Sequence, residues 1–234
     1  MKWEYAIFDL DGTLLDYEGA SHEAIDIVLS EHGCRFSKEL HSAIIGTKDV
    51  DWSRKLVSVL GLENVLQPTH LVHRYHEEIA RLIPSMKLMP GVEQLVRSLH
   101  AKQIPMVIAT SSSSHVVPRK LSFHSCLTEC ISEVVTGDQV TAGKPAPDIF
   151  FLAAKRLGCA DASKCLVFED SPFGVLAGLS AGMGTIAIPD ARFLTEAALA
   201  EHGKIFNQAT KVISSLQGFD VCEFFAETES CLNS

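Results

Sequence analysis

Short apolar runs, each ended by polar or turn-forming residues, occur at the start of the chain and recur through its second half. Most of them lack the in–out alternation of a half-exposed strand, which is typical of strands buried on both faces of a sheet. We therefore predict four buried strands and a weaker fifth. They are Tyr5–Asp9, Pro105–Thr110, Cys165–Asp170 and Gly184–Pro189, with Ile131–Thr136 as the fifth.

Helical periodicity fills most of the intervals between these strands. Strands that alternate with helices predict a parallel sheet covered on both faces, which places the chain in the α/β class. In such sheets ligands bind beyond the carboxyl ends of the strands. The predicted helices of this part of the chain are Val92–Lys102, Asp148–Leu157, Gly174–Ala181 and Leu194–Ala200.

The interval after the first strand breaks this rhythm, because residues 16–85 contain helical patterns and no convincing strand. This is too much chain for one crossover helix and suits a small helical bundle inserted after the first strand. We predict a core domain of residues 1–15 and 86–234 and a helical domain of residues 16–85. Its four predicted helices are Ser21–His32, Lys38–Ile45, Val50–Leu60 and Pro68–Leu82.

Composition narrows the possible partners and the compartment. A formal charge of −9 over 234 residues argues against non-specific binding to nucleic acid or to an anionic membrane, although a pocket can still bind an anion. The seven cysteines form no CxxC pair, which favours free thiols in a reducing compartment. With no apolar run near the ~18 residues of a membrane span, we expect a cytoplasmic protein. A monomer is expected, with a weak dimer as the alternative, and the tail Glu223–Ser234 is expected to fray.

Chemically active residues follow the predicted strands. Asp9 and Asp11 leave the first strand, Thr110 ends the second, and Glu169–Asp170 ends another, with Lys144 in the loop before it. Because the carboxyl ends of parallel strands share one edge of the sheet, these side chains are expected to converge. Carboxylates with hydroxyl, amide and ammonium donors suit a hard divalent cation and a phosphoryl group.

Each residue has a role that its chemistry allows. The Asp9 carboxylate could attack phosphorus and form an aspartyl-phosphate, while Asp11 moves the proton. Thr110 and nearby amides could hold the phosphoryl oxygens, with Lys144 offsetting their charge. Asp170 could bind the metal, with Glu169 as a direct or water-mediated partner.

Each of these motifs also has a simpler explanation when it is considered alone. The DxDG pattern occurs in turns and in calcium loops, although a calcium loop would need further acidic positions after Gly12. Lys144 could be a solvated lysine, and Thr110 with its serines a helix cap. Glu169–Asp170 could be an ordinary helix start. The joint placement of the motifs at one edge favours the site.

Taken together, the four motifs resemble those of the haloacid dehalogenase-like hydrolase superfamily. They are Phe8–Leu14, Ile108–Ser111, Gly143–Asp148 and Phe168–Ser171, in this order across nearly the whole chain. The resemblance implies a Rossmann-like core with a helical cap domain inserted after the first strand. It implies Asp9 as nucleophile, Asp11 as acid and base, Thr110 and Lys144 as phosphate ligands, and Mg²⁺ on Asp9, the Asp11 carbonyl and Asp170.

Within the superfamily, three stretches of the sequence are most similar to the pseudouridine-5′-phosphatase group. They are Ala109–Ser112, Lys144–Phe150 and the run from Cys165–Pro172 through Gly182–Met183. Enzymes acting on 2-deoxyglucose-6-phosphate, glycerol phosphate and β-glucose-1-phosphate share much of this sequence. The expected function is therefore a Mg²⁺-dependent phosphatase for a small phosphomonoester, such as a nucleoside, sugar or polyol phosphate. The expected partner is a small phosphorylated metabolite, with no nucleic acid and no membrane.

Selectivity is expected to come from the helical cap. We predict substrate contacts at Gly46, Thr47 and Lys48, together with Ser111 beside Thr110. A solvated lysine is an equally good interpretation of Lys48. Trp52 is expected either in the cap core or against the substrate, and His22 and His41 are expected at the surface.

Two alternative functions stay open. A β-phosphoglucomutase-like enzyme would return the phosphoryl group to a sugar, and that group carries a cap histidine where this chain has Ser21, with His22 one residue away. A non-catalytic protein that binds phosphorylated metabolites could use the same scaffold, although Asp9, Asp11 and Lys144 are all present. A dehalogenase is disfavoured, since that branch lacks the second aspartate of the first motif.

Overall fold

The computed structural model describes residues 2–45 and 47–226, and within them six parallel strands form one sheet in the order β3–β2–β1–β4–β5–β6. This confirms the α/β class and the parallel sheet. The chain order reverses beside β1, the point where open α/β sheets leave a crevice for ligands. The strands are β1 Tyr5–Phe8, β2 Met106–Thr110, β3 Glu133–Thr136, β4 Cys165–Glu169, β5 Gly184–Ala187 and β6 Lys211–Val212.

The central strands are buried on both faces, as their unbroken apolar runs predict. Every residue of β2 and β4 is buried. Successive side chains of a strand point to opposite faces of the sheet. On one face, Ile7 and Val167 belong to a core cluster that also includes residues of the helix at 148–156. Phe8 and Phe168 stack with ring centroids 4.7 Å apart. The strand ends that carry the polar motifs are thereby fixed on a well-packed sheet.

Around the sheet, helix boundaries follow local capping. Ser171 accepts a hydrogen bond from the Gly174 amide and Pro172 occupies the first helical turn, so this helix begins two residues before the predicted start. Thr195 likewise accepts from the Ala198 amide ahead of the helix at 196–206. The helices of this part are α5 Val92–Ala101, α6 Val117–Leu121, α7 Ser125–Cys130, α8 Asp148–Arg156, α9 Pro172–Ser180, α10 Glu196–Phe206 and α11 Val221–Phe224.

A separate compact unit comprises Tyr17–Met86 together with Ala191–Ala200. Within it α1 packs against α4 and α3 against α4, around buried residues such as Leu29, Leu56 and Leu71. The other unit comprises Met1–Asp16, Lys87–Asp190 and Glu201–Ser234. The helices of the smaller unit are α1 Tyr17–Ser30, α2 Lys38–Ile44, α3 Asp49–Val59 and α4 Pro68–Leu82.

Several features differ from the sequence prediction. Residues 191–200 were predicted with the core, but Lys38 Nζ donates to the Ala191 carbonyl over 2.9 Å and Phe193 packs on His41, so this stretch counts with the helical unit. The short helices α6 and α7 and the exposed strand β6 were not predicted. Val221–Phe224 is helical with Phe224 buried, so the expected fraying is wrong for this part of the tail, and residues 227–234 lie outside the described ones. No described helix combines the length and apolarity needed to cross a membrane.

Candidate active site

The first motif forms a tight turn directly after β1. The Asp9 amide still donates to the Phe168 carbonyl of β4, and the Gly12 amide then donates to the Leu15 carbonyl. Gly12 has φ +95°, and a Cβ there would overlap the Asp170 carboxyl group. Glycine is therefore required here, both for the positive φ and for the close approach of Asp170 to the backbone.

Lys144 joins two carboxylates at this edge of the sheet. Its Nζ donates to Asp9 Oδ1 over 2.5 Å, to Glu169 Oε1 over 2.6 Å and to the Ala109 carbonyl over 3.1 Å. The three charged side chains are between 1% and 9% exposed. A buried cation between two buried anions leaves one net negative charge, which suits a site that also binds a divalent cation.

Burial and charge act together on these groups. Burial raises the pKa of Asp9 to about 7, the Lys144 ammonium opposes that rise, and the Glu169 carboxylate adds to it. Burial also disfavours the charged form of Lys144, but Asp9 and Glu169 outweigh this effect and raise the pKa of Lys144 above its usual range. A divalent cation beside Asp9 would favour its carboxylate, the form that a nucleophile needs.

The far oxygen of Glu169 is held by the start of α9. Glu169 Oε2 accepts from the Ser171 amide over 3.1 Å and from the Ser171 hydroxyl over 3.0 Å. A Cβ at Gly174 would overlap the same carboxyl group. Both oxygens of Glu169 are thus hydrogen-bonded to the protein, and Glu169 orients Lys144.

Replacing Gly174 with alanine is expected to lower the free energy of unfolding by about 1–3 kcal/mol, because the methyl group displaces the Glu169 carboxyl in a packed site. Urea unfolding measures this change. Gly203→Ala is the control, since a Cβ at that helical position meets nothing within 4 Å and alanine favours a helix. Wild-type stability in Gly174→Ala would contradict the packing described here.

Asp11 lies against a different cation, Lys120 of α6. Lys120 Nζ donates to Asp11 Oδ1 and to Asp11 Oδ2, each over 2.7 Å, and the Ser112 hydroxyl donates to Oδ2 over 2.6 Å. Lys120 is 3% exposed at its side chain, and Asp11 is 20% exposed. The two aspartates of the first motif are therefore held by separate lysines from separate parts of the chain.

Thr110 ends β2 at the same edge of the sheet. It is buried, and its hydroxyl accepts from the Ser112 amide over 3.1 Å. Ser111 is exposed beside it. The structure thus brings Asp9, Asp11, Thr110, Lys144 and Glu169–Asp170 to the carboxyl ends of neighbouring strands.

The oxygen donors near Asp9 fit a magnesium ion. Asp170 lies against the backbone of Gly12, and its Oδ1 accepts from the Thr13 hydroxyl over 2.9 Å, so its position is fixed by the first motif. The Asp9 and Asp170 carboxylates and the Asp11 carbonyl are hard oxygen donors of the kind that Mg²⁺ binds together with water and substrate oxygens. No group of three His, Cys, Asp or Glu side chains suited to a metal occurs among residues 2–45 and 47–226. Both oxygens of Glu169 accept hydrogen bonds from Lys144 and Ser171. Its role as a direct or water-mediated partner of the metal stays a prediction.

The predicted selectivity residues lie in the helical unit. Thr47 and Lys48 are exposed just before α3, and the Thr47 hydroxyl donates to the Ile44 carbonyl over 2.6 Å. Gly46, the third of these predictions, lies outside the described residues. Trp52 is buried, donates to Asp49 Oδ1 over 3.0 Å and packs edge-on against Tyr75, so it belongs to the core of this unit.

The prediction that His22 and His41 lie at the surface is wrong for His41. This residue is 2% exposed, and its Nε2 pairs with Glu18 Oε2 over 2.9 Å. Its Nδ1 lies 3.0 Å from His22 Nδ1, and both rings pack on Phe193. Burial, with His41 close by, lowers the pKa of His22. Phe193 comes from a distant part of the chain, which the local helical pattern does not reveal.

Sequence reasoning missed Lys120 and the contact of Thr13 with Asp170. Lys120 follows Thr110 by ten residues and is adjacent to Arg119, so its sequence suggests an exposed basic pair. The available signal was its place between the buried residues Val117 and Leu121 on a short helix.

Comparison with known proteins identifies relatives of this chain. A sequence model of the haloacid dehalogenase-like hydrolases matches residues 6–188. A (DL)-glycerol-3-phosphatase of Arabidopsis thaliana is 38% identical over 80% of this chain and 80% of its own length. A probable pseudouridine-5′-phosphatase of Drosophila melanogaster is 36% identical over 95% and 94%. The crystal structure of a putative β-phosphoglucomutase from Thermotoga maritima superposes with a TM-score of 0.72 at 31% identity, covering 90% of this chain and 94% of that one.

Proposed function

The chain belongs to the haloacid dehalogenase-like hydrolases, and from this premise we propose that it is a magnesium-dependent phosphatase whose nucleophile is Asp9. The observation that carries the proposal is the buried Asp9 carboxylate at the end of β1, paired with Lys144 and followed two residues later by Asp11 with a cation of its own. These two ion pairs support our assignment of Asp9 to attack and of Asp11 to proton transfer.

In the first step an Asp9 oxygen attacks phosphorus while the bond from phosphorus to the ester oxygen breaks. Asp11 enters this step in its protonated form and gives the proton to the departing oxygen, which leaves as an alcohol. The resulting Asp11 carboxylate is the form that pairs with Lys120. In the second step water attacks the aspartyl-phosphate, Asp11 takes the water proton, and the Asp9 carboxylate leaves phosphorus. Phosphate is released and both aspartates return to their starting states.

The other groups act on charge and position. Lys144 balances negative charge beside Asp9. We assign the Thr110 hydroxyl and the amides after β2 to hold the phosphoryl oxygens. Asp9, the Asp11 carbonyl and Asp170 would hold Mg²⁺. When bound, this ion would supply positive charge that offsets the repulsion between the carboxylates and the phosphoryl group.

For the substrate we propose a small phosphorylated metabolite with a hydroxyl-rich alcohol part, such as a polyol, sugar or nucleoside phosphate. The relatives named above are glycerol-phosphate and pseudouridine-phosphate phosphatases. The helical unit, which we propose acts as the cap, has a pocket of about 200 Å³ lined in part by Tyr17, Ser21, Thr47 and Tyr75. These four hydroxyls suit a polyhydroxylated group.

Tyr75→Phe is expected to raise KM for glycerol phosphate and ribose 5-phosphate by about tenfold while leaving 4-nitrophenyl phosphate within about twofold. The physical reason is that the Tyr75 hydroxyl lies 3.0 Å from that of Tyr17 and 3.2 Å from that of Ser21, so its loss disturbs the polar wall of the pocket. Steady-state kinetics on the three esters measures the change. Tyr5→Phe, in β1, is the control, and an equal change in KM for all three esters would contradict a selectivity role.

The second candidate is a sugar phosphomutase, favoured by the fold of the putative mutase from Thermotoga maritima. Here the position of the cap histidine is Ser21, which hydrogen-bonds Tyr75, and the neighbouring His22 is engaged by His41 and aromatic rings. These contacts favour hydrolysis over return of the phosphoryl group.

The test is phosphate release in Mg²⁺ from a panel of nucleotide, sugar, glycerol and glycolate phosphates, with β-glucose 1-phosphate also monitored for isomerisation. We expect phosphate release that stops when EDTA removes the metal. Isomerisation without release would identify a mutase, and binding without turnover would identify a non-catalytic binding protein.

A further inference from the structure

Asp11 is held by an ion pair that no motif of the sequence identifies. Lys120 Nζ lies 2.7 Å from each carboxylate oxygen of Asp11, and the Ser112 hydroxyl donates to Oδ2 over 2.6 Å. Lys120 Nζ also donates to the Ser112 hydroxyl over 3.1 Å. The three groups form a closed triangle in which both oxygens of the carboxylate are fixed.

Burial of the Lys120 ammonium group costs free energy of desolvation unless a partner compensates for it. Its side chain is 3% exposed, on a helix whose neighbouring positions Val117 and Leu121 are also buried. A buried ammonium is strongly unfavourable without a partner, and an apolar side chain would fill this place without a charge to desolvate. The ion pair is therefore better explained by its effect on the orientation of the Asp11 carboxylate than by a contribution to the stability of the fold.

Ser112 is itself held in place by the neighbouring strand end. Its amide donates to Thr110 Oγ1, and its carbonyl accepts from the Gly137 amide over 3.0 Å. Two residues on, the Ser114 amide and hydroxyl both donate to Asp138, over 3.0 and 2.6 Å. The Asp11 carboxylate is thus anchored from α6 and from a braced loop, and its orientation is set by both.

We propose that Lys120, assisted by Ser112, is the positioning residue of the proton-transfer group Asp11. The proposal rests on the proposed phosphatase function. General acid catalysis needs the carboxyl group within hydrogen-bonding reach of the departing oxygen and correctly oriented. With Lys120 removed, the Asp11 carboxyl keeps only its hydrogen bond from the Ser112 hydroxyl. It then holds the orientation for proton transfer for less of the time, although Asp9, Lys144 and the metal ligands are unchanged.

The test compares leaving groups. For Lys120→Met we expect kcat/KM on glycerol phosphate to fall by about 10²-fold and on 4-nitrophenyl phosphate by less than about threefold. The nitrophenolate ion leaves without a proton, and kcat/KM includes only the steps up to departure of the leaving group. Equal losses on both esters, or no loss on either, would overturn the assignment.

Further variants separate positioning from other roles. Lys120→Arg restores the charge and should recover most of the loss on glycerol phosphate, whereas Lys155→Met, which removes an exposed lysine of α8, should match wild type. The inhibition constant of inorganic phosphate should stay within about threefold in Lys120→Met. A much weaker constant would make Lys120 a phosphate ligand and overturn the proposal.

If Lys120→Met does not fold, the same two esters are compared in Ser112→Ala. This variant removes the hydrogen bond from the Ser112 hydroxyl to Asp11 and leaves all charges in place. It should show the same dependence on leaving group with a smaller loss, and a uniform loss would overturn the proposal. Failure of the proposed function is distinguishable, because the wild-type protein would then release phosphate from neither ester.

Discussion

Asp9→Asn is expected to reduce turnover by about 10⁴-fold or more, because the amide can neither attack phosphorus nor serve as a charged metal ligand. The protein should stay folded. The asparagine keeps the shape of the side chain, and Lys144 retains its ion pair with Glu169 over 2.6 Å. Phosphate release under saturating Mg²⁺ measures the loss, and thermal unfolding confirms the fold.

The matched control is Asp51→Asn, which makes the same chemical change at an exposed position of α3. It should leave turnover within about twofold of wild type. Near-normal phosphate release by Asp9→Asn would remove Asp9 as the nucleophile, whatever the effect of the control.

Lys144→Met is expected to lower the free energy of unfolding by about 3–5 kcal/mol, because it leaves the buried Asp9 and Glu169 carboxylates without their shared cation. Activity should fall by about 10²–10³-fold as charge compensation beside Asp9 is lost. Urea unfolding and steady-state kinetics measure the two effects independently.

A double variant separates stability from catalysis. Adding Glu169→Gln to Lys144→Met removes one of the two unpaired charges, while the glutamine oxygen can still accept from Ser171. Much of the lost stability should return, but the activity should not. If Lys144→Met is as stable as wild type, or if the second change gives no recovery, the buried charge triad does not act as described.

The sequence was sufficient to predict the central strands of the sheet, because strands that are buried on both faces have unbroken apolar runs. The unbroken apolar runs around Ile7, Val107 and Val167 predicted three central strands to within two residues at their ends. β6 was missed because Lys211 and Val212 are both exposed, and an exposed edge strand has no apolar run to detect.

Site residues that directly follow strands were predicted from the sequence, whereas Lys120, which lies on a helix, was not. Asp9, Thr110 and Glu169 are placed by the ends of β1, β2 and β4, so their convergence follows from sheet topology. Lys120 reaches Asp11 from a helix 109 positions along the chain. No local pattern encodes such a contact, because it depends on how α6 packs.

The helical unit illustrates the same limit. Its four helices follow from their periodicity, yet the packing of His41 on Phe193 joins segments more than 150 residues apart. The buried His41 ring is accommodated by its pairing with Glu18 and by its packing on Phe193, and neither partner is evident from the local sequence. Sequence therefore predicted the elements of this unit but not its polar interior.

The stereochemistry at phosphorus tests the central claim most directly. The substrate is a phosphomonoester that is made chiral at phosphorus with oxygen isotopes. The wild-type protein hydrolyses it with Mg²⁺ in water that carries a further oxygen isotope, so that the released phosphate is also chiral. The configuration of this phosphate is then determined. Transfer to Asp9 followed by attack of water comprises two in-line displacements, each of which inverts phosphorus. The account predicts overall retention of configuration. Inversion would show a single displacement by water and would contradict the aspartyl-phosphate at Asp9.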